Sequence, residues 1–167
     1  MSTEQSESDK YLSFALDEGH FAVQILRIRE IIAMHAITPL PRLDPEVRGV
    51  INLRGKIIPV IDLRMKLGLT AAAYDRSTCI VVFDVELENG APGNVGCIVD
   101  SVNEVIDLVP DQIQDPPNVV GEAGAEFVHG LCKLESSEKV MSILDMEVLL
   151  ASLAGQAEAA DLQGAGQ

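Results

Sequence analysis

The chain has 167 residues, a formal net charge of −14, no Trp, two Tyr and four Phe, so a core of one ordinary domain, or of two small ones sharing it, must be built from Val, Ile and Leu. The charge repels phosphate backbones and anionic lipid surfaces, which disfavours nucleic acid as a partner. No apolar run reaches membrane-spanning length, and the MSTEQSESDK start lacks the basic and apolar regions of a signal peptide, so a cytoplasmic protein without direct membrane insertion is expected.

Residues 1–9 are polar and acidic and read as a disordered end. Leu12, Phe14 and Leu16 then alternate with Tyr11, Ser13 and Ala15, and after Asp17-Glu18-Gly19-His20 the residues Phe21, Val23 and Ile25 share one face. That is a β-hairpin. Ile25, Ile28 and Ile32 recur at i, i+3 and i+7, a spacing that admits a helical turn, while their β-branched side chains favour a continued strand. His35–Thr38 reads extended up to Pro39 and Pro41. Asp44-Pro45-Glu46-Val47-Arg48 has an N-cap, a proline at the first helical position and an acid in the first turn, which predicts a short helix leading into Gly49.

The stretch Gly49–Leu67 holds a turn at Arg54-Gly55-Lys56 and an apolar strand at Ile57–Ile61. Pro59 cannot donate to a ladder and predicts an edge strand or a bulge. Asp62 stands as N-cap of a short helix over Leu63–Leu67 that Gly68 ends. Residues 69–77 join the two halves. Thr78–Leu87 is a long strand, Val95–Val102 returns antiparallel, and Val105–Val109 reads as a further strand. Pro110–Gly124 reads as a surface loop whose polar character keeps it out of the core. Phe127–Leu134 and Lys139–Leu144 form a last hairpin, Asp145–Leu153 an amphipathic helix, and residues 154–167 a disordered tail.

Two correspondences run through the chain. Phe21–Ile32 parallels Val95–Ile106 at an offset of 74 residues, and Asp62-Leu63 parallels Asp145-Met146 at 83, each after a strand that follows a turn. A drift of only nine residues suggests two related halves with different loop lengths. Many short strands, few helices and no βαβ alternation point to two small barrels.

Candidate chemistry is sparse. Cys79, Cys97 and Cys132 lie in predicted strands without a CxxC partner or a His at metal-ligand spacing, and read as reduced core residues. His20, His35 and His129 stand apart from any nucleophile at motif spacing, Gly121–Gly124 lacks the Lys of a phosphate loop, and Asp62 and Asp145 read as helix caps rather than a catalytic pair. Glu30 beside Ile28, and Arg54 within Asn52-Leu53-Arg54-Gly55, are charges set among apolar residues and turns. Pattern alone reads them as two solvated charges.

The block Gly49-Val50-Ile51-Asn52-Leu53-Arg54-Gly55-Lys56-Ile57-Ile58-Pro59-Val60-Ile61-Asp62-Leu63-Arg64 resembles the CheW family of bacterial chemotaxis coupling proteins. Val95–Asp100 with Val105, and Tyr11–Ile32 with Glu30, match as well, so the resemblance covers about residues 10–153. It implies an all-β fold with short helices, in which two SH3-like five-stranded β-barrel subdomains surround a shared hydrophobic core. The first would span roughly residues 15–75 and the second roughly 76–144, intertwined in one domain, with the N-terminal strand and C-terminal helix packing across.

The resemblance further implies a non-enzymatic adaptor without cofactor or metal. Such an adaptor couples the cytoplasmic hairpin tip of chemoreceptors to the regulatory domain of the histidine kinase CheA, in arrays at the inner face of the membrane. Carried over position by position, receptor contacts fall on Ile28, Glu30, Gly49, Asn52, Leu53, Arg54 and Gly55, with Val102 and Val105 from the second barrel, around an apolar groove beside a Glu30–Arg54 charge pair. Gly49 and Gly55 would let the receptor backbone approach closely. Kinase contacts fall near Gln114 and Val119, and ring contacts between CheW and CheA, or between CheW copies, belong to the same implication. The basic residue and the aromatic that family members often carry there are absent from this chain. An adaptor of a pilus-type or other chemosensory pathway would share the fold, and a small ligand-sensing barrel or enzyme is the reading of a different class.

Overall fold

A computed structural model of the chain describes residues 8–41, 46–86, 90–116, 125–134, 138–145, 147–149 and 151. Expectations for the two chain ends, for Asp44 and Pro45, and for residues 117–124 with Val119 fall outside that set.

The first hairpin forms as the alternation predicts, from Asp9–Leu16 (β1) and Gly19–Gln24 (β2), with Phe14 opposite Phe21. The i, i+3 spacing at Ile25 yields a single 3-10 turn, Ile25–Arg27, before β-branched residues return the chain to strand at Ile28–Ala33 (β3). Val47–Leu53 (β4), Lys56–Asp62 (β5) and the helix Leu63–Lys66 (α1) follow. The remaining strands are Cys79–Glu86 (β6), Pro92–Val99 (β7), Ser101–Leu108 (β8), Val128–Lys133 (β9) and Val140–Leu144 (β10).

Three local expectations are corrected. Among the described residues, the end of the helix expected before Gly49 is strand instead: Val47 and Arg48 belong to β4, where Val47 pairs with Ile61 and is buried. The strand Val95–Val102 divides at Asp100, where the chain turns out of one sheet and into the other as β8. Pro59 is not on an edge, since β5 lies between β7 and β4. Both backbone groups of Val50, its ladder partner, bond to Thr38 instead, at 2.8 and 2.9 Å. The missing N–H of Pro59 therefore faces β7 one residue before the parallel β5–β7 ladder begins at Val60.

One sheet runs β8-β1-β2-β10-β9 and the other β3-β6-β7-β5-β4. Under the sequence repeat these are the same order, because β1 and β2 correspond to β6 and β7, β8 to β3, β10 to β5 and β9 to β4. Each half gives its third, fourth and fifth strands to the other half's hairpin, so the two SH3-like barrels are interlocked. Both barrels close alike, through the bridges Thr38–Val50 and Gln114–Leu131. A glycine precedes each bridged strand residue. A Cβ on Gly49 (φ 142°) would collide with the Thr38 carbonyl, and one on Gly130 would sit 2.8 Å from the Gln114 oxygen.

Alternation fills three clusters at once. On β6, Ile80 and Val82 enter one barrel interior with Ile51, Ile58 and Val60, while Val81, Phe83 and Val85 point the other way. They meet Leu12, Phe14, Leu16 and Val23 in a shared core. Tyr11, Ala22, Met141 and Ile143 fill the other barrel, where Ile113 from the supposed surface loop also packs. The capping aspartates repeat too: Asp62 Oδ1 accepts from Arg64 N–H at 3.0 Å, and Asp145 Oδ1 from Glu147 N–H at 3.0 Å.

Candidate functional site

The β4–β5 connection is a two-residue turn with both central residues at positive φ, Arg54 at 52° and Gly55 at 85°. Such a turn matches the right-handed twist of the strands it joins. Gly55 adopts it without penalty, whereas Arg54 carries a strain of about 1 kcal/mol. Asn52 supports the turn by accepting the Gly55 N–H on its Oδ1 at 2.9 Å. The Arg54 guanidinium pairs with the Glu30 carboxylate of β3, so the pair links the two outer strands of the sheet above the Thr38–Val50 closure. Arg54 is about two-thirds exposed, which makes the pair worth about 0–1 kcal/mol of stability. Orientation is its larger effect.

The candidate residues fall into two groups. Glu30, Asn52, Arg54 and Gly55 form the tip, with Leu53 turned into the barrel interior beneath them and Gly49 farther down β4. Ile28 and Val102 instead pack at the margin of the shared core, and Val105 is exposed on the outer strand β8. A Cβ on Gly55 would meet open space, but the bare Cα of Gly49 faces the chain's own Thr38 and Pro39, so the close approach there is internal. Gln114 joins its N–H and C=O to Leu131, 2.8 Å each, and leaves its side chain exposed.

With this geometry in place, the sequence model of the CheW-like domain matches residues 10–154. The chain belongs to the CheW-like domain family. It is similar to the chemotaxis protein CheW of Klebsiella aerogenes, at 31% identity over 89% of this chain and 85% of that one. It is similar also to that of Thermotoga maritima, at 33% over 83% and 85%. The crystal structure of the scaffolding protein TtCheW from Thermoanaerobacter tengcongensis aligns with a TM-score of 0.70 at 32% identity, over 83% of this chain and 90% of that chain. Fold and family are those of chemotaxis scaffolding proteins.

Two features of this CheW-like chain escaped pattern reading. Arg64 on α1 donates from Nε and an Nη to both Asp100 oxygens, at 2.9 and 2.5 Å, and from its other Nη to the Thr70 carbonyl. Asp100 also accepts the Asp17 N–H at 2.6 Å. The β1–β2 turn, the β7–β8 corner and α1 thus meet at one mostly buried guanidinium. Burial raises the Asp100 carboxyl, and the Arg64 and Asp17 hydrogen bonds outweigh it, holding the group below the usual carboxylate range. Asp62, which is fully buried, receives the Tyr74 hydroxyl at 2.9 Å; burial and that bond push the Tyr74 phenol up to about 12. Arg64 and Asp100 both stand in the blocks that resemble the family, but no sequence spacing joins positions 64 and 100. Among the described residues no group of three or more His, Cys, Asp and Glu is placed to hold a metal ion.

Proposed function

We propose that this chain couples chemoreceptors to the kinase CheA as a non-enzymatic adaptor at the cytoplasmic face of the membrane, and that the Arg54 tip is its receptor-facing element. One observation carries the reading: a non-glycine residue is kept in a left-handed turn, mostly exposed, with its charge aimed by Glu30. Stability alone would favour glycine at that position. A receptor hairpin is helical, and a helix docking in a groove draws affinity from aliphatic contacts and register from a few oriented polar groups. Ile28, Val102 and Val105 supply the first and Arg54 with Glu30 the second. The kinase contacts lie apart, near Gln114 at the closure of the other barrel.

Calorimetric titration with a receptor cytoplasmic fragment tests this. Arg54→Ala is expected to weaken binding about tenfold, the loss of a charged hydrogen-bonding group at an interface, while the thermal transition stays cooperative and stability falls by no more than the worth of the lost Glu30 pair, about 0–1 kcal/mol, since alanine keeps the left-handed strain. Unchanged affinity in a folded variant would remove the tip from the receptor site.

A further inference from the structure

Around the same end of the barrel, two side-chain relays, Lys56–Asn94–Asp84–Arg29 and Glu30–Arg54, are joined into a loop through the backbone at Arg29-Glu30 and at the Arg54–Lys56 turn. Lys56, the residue after the turn, donates from Nζ to Asn94 Oδ1 at 2.7 Å. Asn94 donates from Nδ2 to Asp84 Oδ1 at 2.9 Å, directly across the β6–β7 ladder. The same Asp84 oxygen receives Arg29 Nε at 3.0 Å. Arg29 and Glu30 are neighbours on β3, and Glu30 returns the circuit to Arg54. The path visits β5, β7, β6 and β3 in their order across the sheet and then crosses back to the β4–β5 turn.

Local structure explains how it closes. Adjacent residues of a regular strand face opposite ways, but the β3–β6 register shifts between Ile28 and Glu30, and this bulge lets Arg29 and Glu30 both take part. Asn94 holds the middle because a carboxamide accepts from a cation on one side while it donates to a carboxylate on the other. The Arg29–Asp84 pair is well exposed, so the circuit contributes little to stability and acts chiefly on orientation.

We infer that Asn94 and Asp84 are positioning residues for the Arg54 tip: they fix the Lys56 side of the turn against β3, so that Arg54 is presented in one geometry. The inference rests on the receptor reading of that tip. In receptor-fragment titrations Asn94→Ala is expected to lower affinity about two- to fivefold, the range of one exposed polar pair. The loss should vanish in an Arg54→Ala background. Exchanging the two groups, Asn94→Asp together with Asp84→Asn, keeps every donor facing an acceptor and should restore binding. Wild-type affinity for Asn94→Ala, or an equal loss with and without Arg54, would overturn the inference.

Amide resonances of the free protein separate this from failure of the receptor reading. Asn94→Ala should shift the Arg54 and Gly55 signals, and the exchanged pair should return them, even if Arg54→Ala leaves receptor affinity unchanged. Unmoved signals would overturn the positioning role by themselves.

Discussion

Asp100 stands at the corner where the chain passes between sheets, and its carboxylate joins α1 to the β1–β2 turn through Arg64 and the Asp17 amide. Its folded-state pKa lies below the unfolded value, so the stabilisation it gives is present above the ordinary Asp pKa, about 4, and is lost as the pH falls through the folded value. Thermal melts between pH 7 and pH 3 are expected to show Asp100→Asn less stable than wild type at neutral pH, with a shallower acid limb. Parallel acid limbs would mean that Asp100 is not a source of the pH dependence. Cys97 gives a second prediction at this scale. Burial pushes its thiol up to about 12, so alkylation at pH 8 should spare Cys97 in the native protein and reach it only after unfolding. The burial of Cys97 was legible from its apolar strand, whereas the partners of Asp100 were not, because an ion pair between residues 36 positions apart leaves no periodic trace.

Among the elements, the β4–β5 hairpin was the most legible. Arg54-Gly55, the apolar run after it, the Asp62 cap and the stop at Gly68 all follow from short-range sterics that neighbouring residues dictate. The short helix expected from Asp44-Pro45 to Arg48 gave way to strand at Val47 and Arg48 because a nonlocal ladder decided the outcome there, and the edge placement of Pro59 failed because Val50 gives its hydrogen bonds to Thr38. Two glycines of this hairpin should respond differently to the same change. Gly49→Ala would force the Thr38 closure apart and is expected to cost about 2–4 kcal/mol in denaturant unfolding, from backbone strain and overpacking together. Gly55→Ala meets open space and should cost only about 1 kcal/mol of left-handed strain. Equal costs would mean that the Thr38 contact does not shape the barrel.

Across the whole molecule, the internal repeat was readable and its consequence was not. Offsets of 74 and 83 residues announce two halves, yet the exchange of β3, β4 and β5 for β8, β9 and β10 between sheets, and the parallel pairs β2–β10 and β5–β7, depend on which hairpin each strand reaches. Interlocking sends both sheets into one core, so the barrels should unfold in a single transition. Phe83→Ala in that core is expected to lower stability by about 3–5 kcal/mol without splitting the transition.

An adaptor that couples receptor to kinase must hold both partners at once. The direct test is light scattering of the chain mixed with a receptor cytoplasmic fragment and the CheA regulatory domain, singly and together. A ternary complex is expected, with Arg54→Ala losing the receptor fragment and keeping the kinase domain. Mutually exclusive binding, or an Arg54→Ala variant that loses the kinase domain and keeps the receptor fragment, would contradict the coupling role.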